Sequence, residues 1–131
     1  MVHARQLFSA SALADPRSKG AVAALRQLSG GERVIQLCNV ETMEQVRRWK
    51  SDYRPDFVVA HATAKAKLSG TTLEADGAAF RSRQRWYSIK FRCQLTPDLE
   101  KVAAFEFAVG QAIPEREWEA YSLPIGGGGS D

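Results

Sequence analysis

Two alternating stretches decide the fold: Trp86-Tyr-Ser-Ile-Lys-Phe-Arg-Cys-Gln-Leu95 and Val102-Ala-Ala-Phe-Glu-Phe-Ala-Val-Gly110. In both stretches apolar side chains recur at every second position, as they do in half-buried strands. Residues 96–100 lie between them and contain Pro97 and Asp98, which favour a turn. The pattern therefore predicts a β-hairpin whose aromatic face packs against the rest of the chain.

The alternation also predicts the register of this hairpin. Phe91 pairs with Phe105, and on the outer face Lys90 then lies across from Glu106, where opposite charges attract. The inner face should form one core with apolar residues of the preceding helices. The predicted members of this core are Phe91, Phe105, Phe107, Ile89, Trp49, Leu25, Leu28 and Ile35.

Helical patterns precede the strands. Residues 4–14 favour a helix, and Asp15-Pro16 ends it and begins a second helix that runs to the glycines at positions 30 and 31. Residues 32–49 are helical again, with apolar residues on one stripe. One kinked helix and two helices with a cap at Asn39 are both compatible with this last segment.

The middle of the chain predicts shorter strands. Residues 57–60 favour a strand over a short helix, and residues 71–75 have strand character. Asp76-Gly77 is typical of a tight turn, and residues 78–81 return as a further short strand. Residues 62–69 are predicted to form a loop.

The order of these elements predicts an α+β fold, with N-terminal helices packed on a C-terminal antiparallel sheet and a short C-terminal helix at residues 115–121. Residues 1–125 form one domain, and residues 126–131 are expected to be a flexible Gly-rich tail. A content of 44% hydrophobic and 25% charged residues is typical of a globular protein, and no apolar run reaches the roughly 18 residues of a membrane span.

Composition and motifs do not indicate a catalytic centre. The two histidines, His3 and His61, have no Cys, Asp or Glu at ligand spacing, and the chain contains no phosphate-binding loop. We therefore predict no catalytic residues, no metal and no cofactor. An enzyme stays open as an alternative if Glu74, Asp76 and Arg81 converge in a cleft.

A basic run is the most suggestive surface feature. Residues 77–97 contain no acidic residue, and a strand face with cations and an aromatic side chain can bind anions. The alternative is an outer face that is charged to prevent aggregation. The candidate anion- or partner-binding residues are Arg81, Arg85, Trp86, Lys90 and Arg92.

Several motifs are similar to those of domain-of-unknown-function family 930 of rhizobia and related alphaproteobacteria. They are Leu-Ala-Asp15-Pro16-Arg17, Gln36-Leu-Cys38-Asn39-x-Glu41-x-Met43-Glu44-Gln45, Glu74-Ala-Asp76-Gly77-Ala-Ala-Phe80-Arg81, Trp86-Tyr87-x-x-x-Phe91-x-Cys93 and Phe105-x-Phe107-x-Val109-Gly110. The resemblance covers nearly everything before the Gly-rich tail. It implies no activity, because the family has none assigned.

The resemblance implies an exported domain of the periplasm, although residues 1–5 lack the pattern of a signal peptide and the cytoplasm stays the alternative. Cys38 and Cys93 are either two buried thiols or a disulfide, and export favours the disulfide. We expect a non-enzymatic envelope domain that binds a protein or an anionic cell-wall or lipid component. Nucleic-acid binding is a weaker alternative.

Overall fold

The structure is a computed structural model that describes residues 1–123. The predicted domain end at residue 125 and the predicted flexible tail at residues 126–131 lie outside the described residues. Three α-helices follow a two-residue N-terminal strand: α1 Ser9–Ala14, α2 Lys19–Arg26 and α3 Gly30–Trp49. The strands are β1 Val2–His3, β2 Pro55–Val59, β3 Lys67–Ser69, β4 Thr72–Ser82, β5 Arg85–Leu95 and β6 Val102–Ala112.

The strands form one six-stranded antiparallel sheet in the order β1-β6-β5-β4-β2, and β3 lies beside β2 along the same edge of β4. The helices pack on one face of this sheet, which we call the inner face. The predicted α+β fold is therefore confirmed. The predicted C-terminal helix is a shorter 3-10 turn, Glu115–Glu117.

The N-terminal helix is shorter than predicted, because residues 4–14 are not all helical. The backbone N–H of Ala4 donates to the carbonyl of Phe105 at 2.9 Å, which continues the pairing of β1 with β6. The buried carboxylate of Glu41 on α3 accepts a hydrogen bond from the N–H of Ser9 at 2.9 Å. Helix α1 begins there, since a carboxylate satisfies the free N–H groups of a helix start.

The predicted break at Asp15 is confirmed. Its carboxylate accepts a hydrogen bond from the N–H of Arg17 at 2.8 Å and begins the 3-10 turn Pro16–Ser18. The side-chain hydrogen bond from Arg17 is the main cause that lowers the pKa of Asp15 to about 2.

Helix α3 is one helix and does not begin again at Asn39. Of its predicted stripe, Cys38, Thr42 and Val46 are buried, whereas Trp49 is 37% exposed. Trp49 was predicted in the core but lies at its rim, where its ring meets Phe107 edge-on at 5.6 Å. A helix end that projects past the core leaves part of a large ring in solvent.

The predicted hairpin register is wrong by two residues. Phe91 pairs with Phe107, Lys90 lies opposite Ala108, and Arg92 lies opposite Glu106. A bulge between Gln94 and Leu95 and a loop that closes only at Lys101 take up the extra residues. The inner and outer faces were nevertheless assigned correctly, because a shift of two preserves the side on which each residue lies.

The predicted turn at Asp76-Gly77 is a β-bulge within the continuous strand β4. The carbonyl of Gly77 accepts hydrogen bonds from the N–H groups of Ala62 and Thr63 at 2.9 and 2.8 Å. A Cβ on Gly77 would lie 2.5 Å from the backbone nitrogen of Ala64. Glycine is thus required because a neighbouring loop crosses β4 at this point.

Strand β3 forms where a loop was predicted. It pairs with β4 through Lys67 opposite Glu74 and Ser69 opposite Thr72, which makes a tight hairpin. Gly70 in this turn has a φ of 60°, a left-handed conformation that glycine adopts without steric cost. A three-residue strand is too short for its alternation to be recognised in the sequence.

The main core lies between α3 and the inner face. Phe91, Phe105, Phe107 and Ile89 are buried together with Leu25, as predicted. Leu28 and Ile35 are half-buried at the margin of this cluster.

Candidate interaction surface

A disulfide joins the helical layer to the sheet. Cys38 of α3 and Cys93 of β5 are bonded, with Cα atoms 6.0 Å apart and a sequence separation of 55. Both residues are fully buried. The predicted disulfide is therefore confirmed, and the alternative of two free thiols is not.

The outer face is the side of the sheet that points away from α3, and one half of it is covered. Residues 113–123 cross this half and bury a second apolar cluster, which consists of Ala79, Trp86, Ile113, Trp118 and Leu123. The indole N–H of Trp118 donates to the carbonyl of Ile113 at 2.8 Å, and the N–H of Ile113 donates to the carbonyl of Trp86 at 2.8 Å. We call this region the covered half.

Arg81 and Trp86 belong to the covered half and do not form part of an exposed binding face. Trp86 is 0% exposed and Arg81 is 3% exposed. The guanidinium of Arg81 binds the carboxylate of Asp56, with Nε and Oδ1 2.9 Å apart, and lies 5.4 Å from the ring centre of Phe57. The prediction that these two residues bind a partner is therefore corrected, because residues 113–123 and strand β2 cover them.

A row of charged residues crosses the other half of the outer face, which we call the open half. The register aligns one residue from each of five neighbouring strands: Lys67, Glu74, Arg92, Glu106 and His3. Directly paired residues share a face and lie close together. Arg92 Nε lies 3.8 Å from Glu74 Oε1, and both side chains are about half exposed.

The charge row changes how the basic run is interpreted. Arg92 has no acidic neighbour nearby along β5, but Glu74 and Glu106 lie on either side of it in space. Its positive charge is therefore balanced by the adjacent strands. The sequence analysis missed this balance because it placed Glu106 opposite Lys90 and assigned no partner to Glu74.

The remaining candidates, Lys90 and Arg85, occupy different places. Lys90 is exposed and lines a shallow depression of about 230 Å³ with Asp76 and Ser88. Arg85 is exposed at the start of β5, beside the turn from β4. The five predicted residues thus lie at four locations and do not make one surface.

The carboxylates of the enzyme hypothesis do not converge with Arg81. Glu74 is paired with Arg92, whereas Arg81 is paired with Asp56. Asp76 sits in the bulge that separates these two pairs along β4. A cleft that unites Glu74, Asp76 and Arg81 is therefore not formed.

Neither histidine lies among metal-ligating neighbours. His3 lies across from Glu106 in the charge row, and Nδ1 of His61 accepts a hydrogen bond from the N–H of Ala66 at 3.0 Å. Within residues 1–123, no group of three or more His, Cys, Asp or Glu side chains is placed to hold a metal ion. Among the helices of the same residues, none has the length and apolar character to cross a membrane.

A cluster of exposed cations that includes the predicted candidate Arg85 lies at one end of the sheet. It consists of Lys50, Arg54, Arg83 and Arg85, and we call it the arginine tip. The N–H of Arg54 donates to the hydroxyl of Ser82 at 2.7 Å, and Nε of Arg83 donates to the carbonyl of Asp52 at 3.2 Å. These bonds hold the connector between α3 and β2 against the β4–β5 turn, which brings together residues that are distant in sequence.

Comparison with known sequences gives a family. The sequence model of the family described as Domain of Unknown Function (DUF930) matches residues 25–123, which includes α3 and the sheet from β2 to β6. No curated protein and no solved structure matches the chain.

Proposed function

The chain belongs to the DUF930 family, and we propose that it is a non-enzymatic domain of the alphaproteobacterial cell envelope. In this proposal it works in the periplasm and binds a protein or an anionic envelope component. The observation that carries the proposal is the buried disulfide between Cys38 and Cys93.

Disulfides persist in oxidising compartments and are rare in the cytosol, where thiols are kept reduced. A catalytic or redox-sensing disulfide must be reached by an attacking thiolate. Both cysteines here are 0% exposed, so the bond is suited to holding α3 on the sheet. This supports a structural bond in an extracytoplasmic domain.

A binding role is supported by where the polar side chains lie. The acidic and basic groups considered for catalysis are distributed over separate ion pairs, Arg92 with Glu74 and Arg81 with Asp56. The open half and the arginine tip, in contrast, offer exposed charges on rigid strands. Such surfaces are suited to recognition by charge complementarity.

Thiol labelling of the protein from its native cells tests the proposal. After unfolding without reductant, Cys38 and Cys93 should both resist maleimide, and both should react once a reductant is added. Quantitative labelling without reductant would contradict an oxidising location. Reduction should also lower the free energy of unfolding by about 4 kcal/mol, because the bond closes a loop spanning 55 positions.

The variant with both Cys38→Ala and Cys93→Ala is the control for this measurement. Its stability should be low with or without reductant, so a reductant effect that persists in it would arise elsewhere.

A further inference from the structure

The arginine tip concentrates positive charge more than any other part of the surface considered above. Residues 50–55 and 82–85 contain four cations and one carboxylate, Asp52. The nearby carboxylate of Asp56 is bound by the buried Arg81. The charge row of the open half alternates in sign, whereas the arginine tip has a net positive charge.

The turn that carries Arg83 has an uncommon backbone conformation. Arg83 and Gln84 have φ values of 52° and 68°, left-handed conformations that residues other than glycine rarely adopt. A two-residue hairpin turn of this kind strongly favours Asn-Gly. Nε of Arg83 donates to the carbonyl of Asp52 at 3.2 Å, so the turn and its cations are held beside the connector.

An exposed aromatic ring adjoins Lys50 of this cluster. Trp49 ends α3, is 37% exposed, and has the ammonium of Lys50 4.6 Å from its ring centre. Stacking with Tyr53 at 6.4 Å and the edge contact with Phe107 hold the ring in place. Tryptophan beside lysine and arginine is the composition that favours the interface between a bilayer and water.

We propose that the arginine tip docks on an anionic phospholipid surface, with Trp49 at the level of the headgroups. The carboxylates of Glu115 and Glu117 follow Ile113 on the outer-face side of the tip, so the contact uses the opposite side, where Trp49 and Lys50 lie. The inference identifies the anionic envelope component of the proposed function as a phospholipid, and it rests on that proposed function. Vesicle binding is independent of thiol labelling, so the two ideas fail separately.

Tryptophan fluorescence provides the measurement, because the chain has three tryptophans and Trp86 and Trp118 are only 0% and 7% exposed. Vesicles of phosphatidylglycerol should shift the emission to the blue, and brominated phosphatidylglycerol should quench it. Vesicles of phosphatidylcholine should do neither, and added salt should weaken the binding by screening. Trp49→Phe should remove the fluorescence response while the protein still sediments with the vesicles.

Charge reversal at the tip is the decisive comparison. The double variant Arg83→Glu with Arg85→Glu should weaken partitioning of the protein onto the vesicles by at least about 30-fold. Each cation lost near the surface reduces the partition constant roughly fivefold, and two are lost here. Lys19→Glu with Arg26→Glu on α2 is the matched control: it also takes the net charge from +3 to −1, since each reversal removes two charges, and it should still bind. Unchanged melting temperatures show that both variants are folded.

Three outcomes would overturn the proposal. Wild-type protein that does not bind phosphatidylglycerol at low salt would exclude the lipid surface. An equal loss in the tip and α2 variants would show that net charge alone governs the binding. Binding to double-stranded DNA that depends on the tip and exceeds vesicle binding would make nucleic acid the partner.

Discussion

The two halves of the outer face are built from the same strands but have opposite character. Strands β4 and β5 run through both halves and contribute alternate residues to each. In the covered half Trp86 is 0% exposed, whereas in the open half the side chain of Arg92 is 56% exposed. The alternation of a strand thus shows which residues point away from the main core, but it does not show whether those residues are exposed to solvent.

The difference arises from a short segment after the last strand. Residues 113–123 bring Ile113, Trp118 and Leu123 onto the sheet, and the cluster that they bury contains no residue of the charge row. A half-buried antiparallel sheet normally has one solvated face, so a second apolar layer over part of it is an added feature.

Of the substitutions that compare the two halves, removal of the Trp86 ring should have the largest effect on the free energy of unfolding. Trp86→Ala should lower the free energy of unfolding by about 3–5 kcal/mol, because it empties a fully buried site beneath Trp118 and Leu123. Arg92→Ala, on the same strand in the open half, is the control and should cost less than about 1 kcal/mol. Urea denaturation measures both, and equal losses would mean that the halves do not differ in burial.

Removing the partner of the buried arginine should have an intermediate effect. Asp56→Ala should cost about 1–3 kcal/mol, because Arg81 is 3% exposed and loses a charged hydrogen-bond partner. The loss is smaller than for a fully buried pair, since the side chain of Asp56 is itself 53% exposed. Asp52→Ala, in the exposed connector, is the control and should leave the urea midpoint nearly unchanged. A midpoint for Asp56→Ala that matches it would mean that Arg81 does not need Asp56 as a partner.

The fold class and the inner face were predictable from the sequence because they depend on periodicity. Phe91, Phe105 and Phe107 recur with the period of a strand, and Cys38 lies on the apolar stripe of its helix. Details that depend on a few backbone angles were not predictable. The bulges at Asp76-Gly77 and at Gln94–Leu95 follow from loop crossings and turn closure, which alternation does not encode.

The candidate surface was less predictable than the fold, because charge neutralisation acts across strands. A stretch without acidic residues around Arg92 indicated a basic face, yet the paired strands supply Glu74 and Glu106. The arginine tip shows the opposite case, in which cations that are distant in sequence lie on one surface. Arg54 and Arg83 are 29 positions apart in the numbering, and tertiary hydrogen bonds bring their segments together.

The smallest expected effect concerns the ion pair in the charge row. A double-mutant cycle of Glu74→Ala and Arg92→Ala should give a coupling free energy of about 0.2–1 kcal/mol, as for other exposed cross-strand pairs. The separation of 3.8 Å between Arg92 Nε and Glu74 Oε1, and side chains that are 56% and 49% exposed, leave the pair largely solvated. High salt should reduce the coupling further, because screening acts on exposed charges. A coupling of several kcal/mol that persists at high salt would mean that something covers this half in solution, as residues 113–123 cover the other.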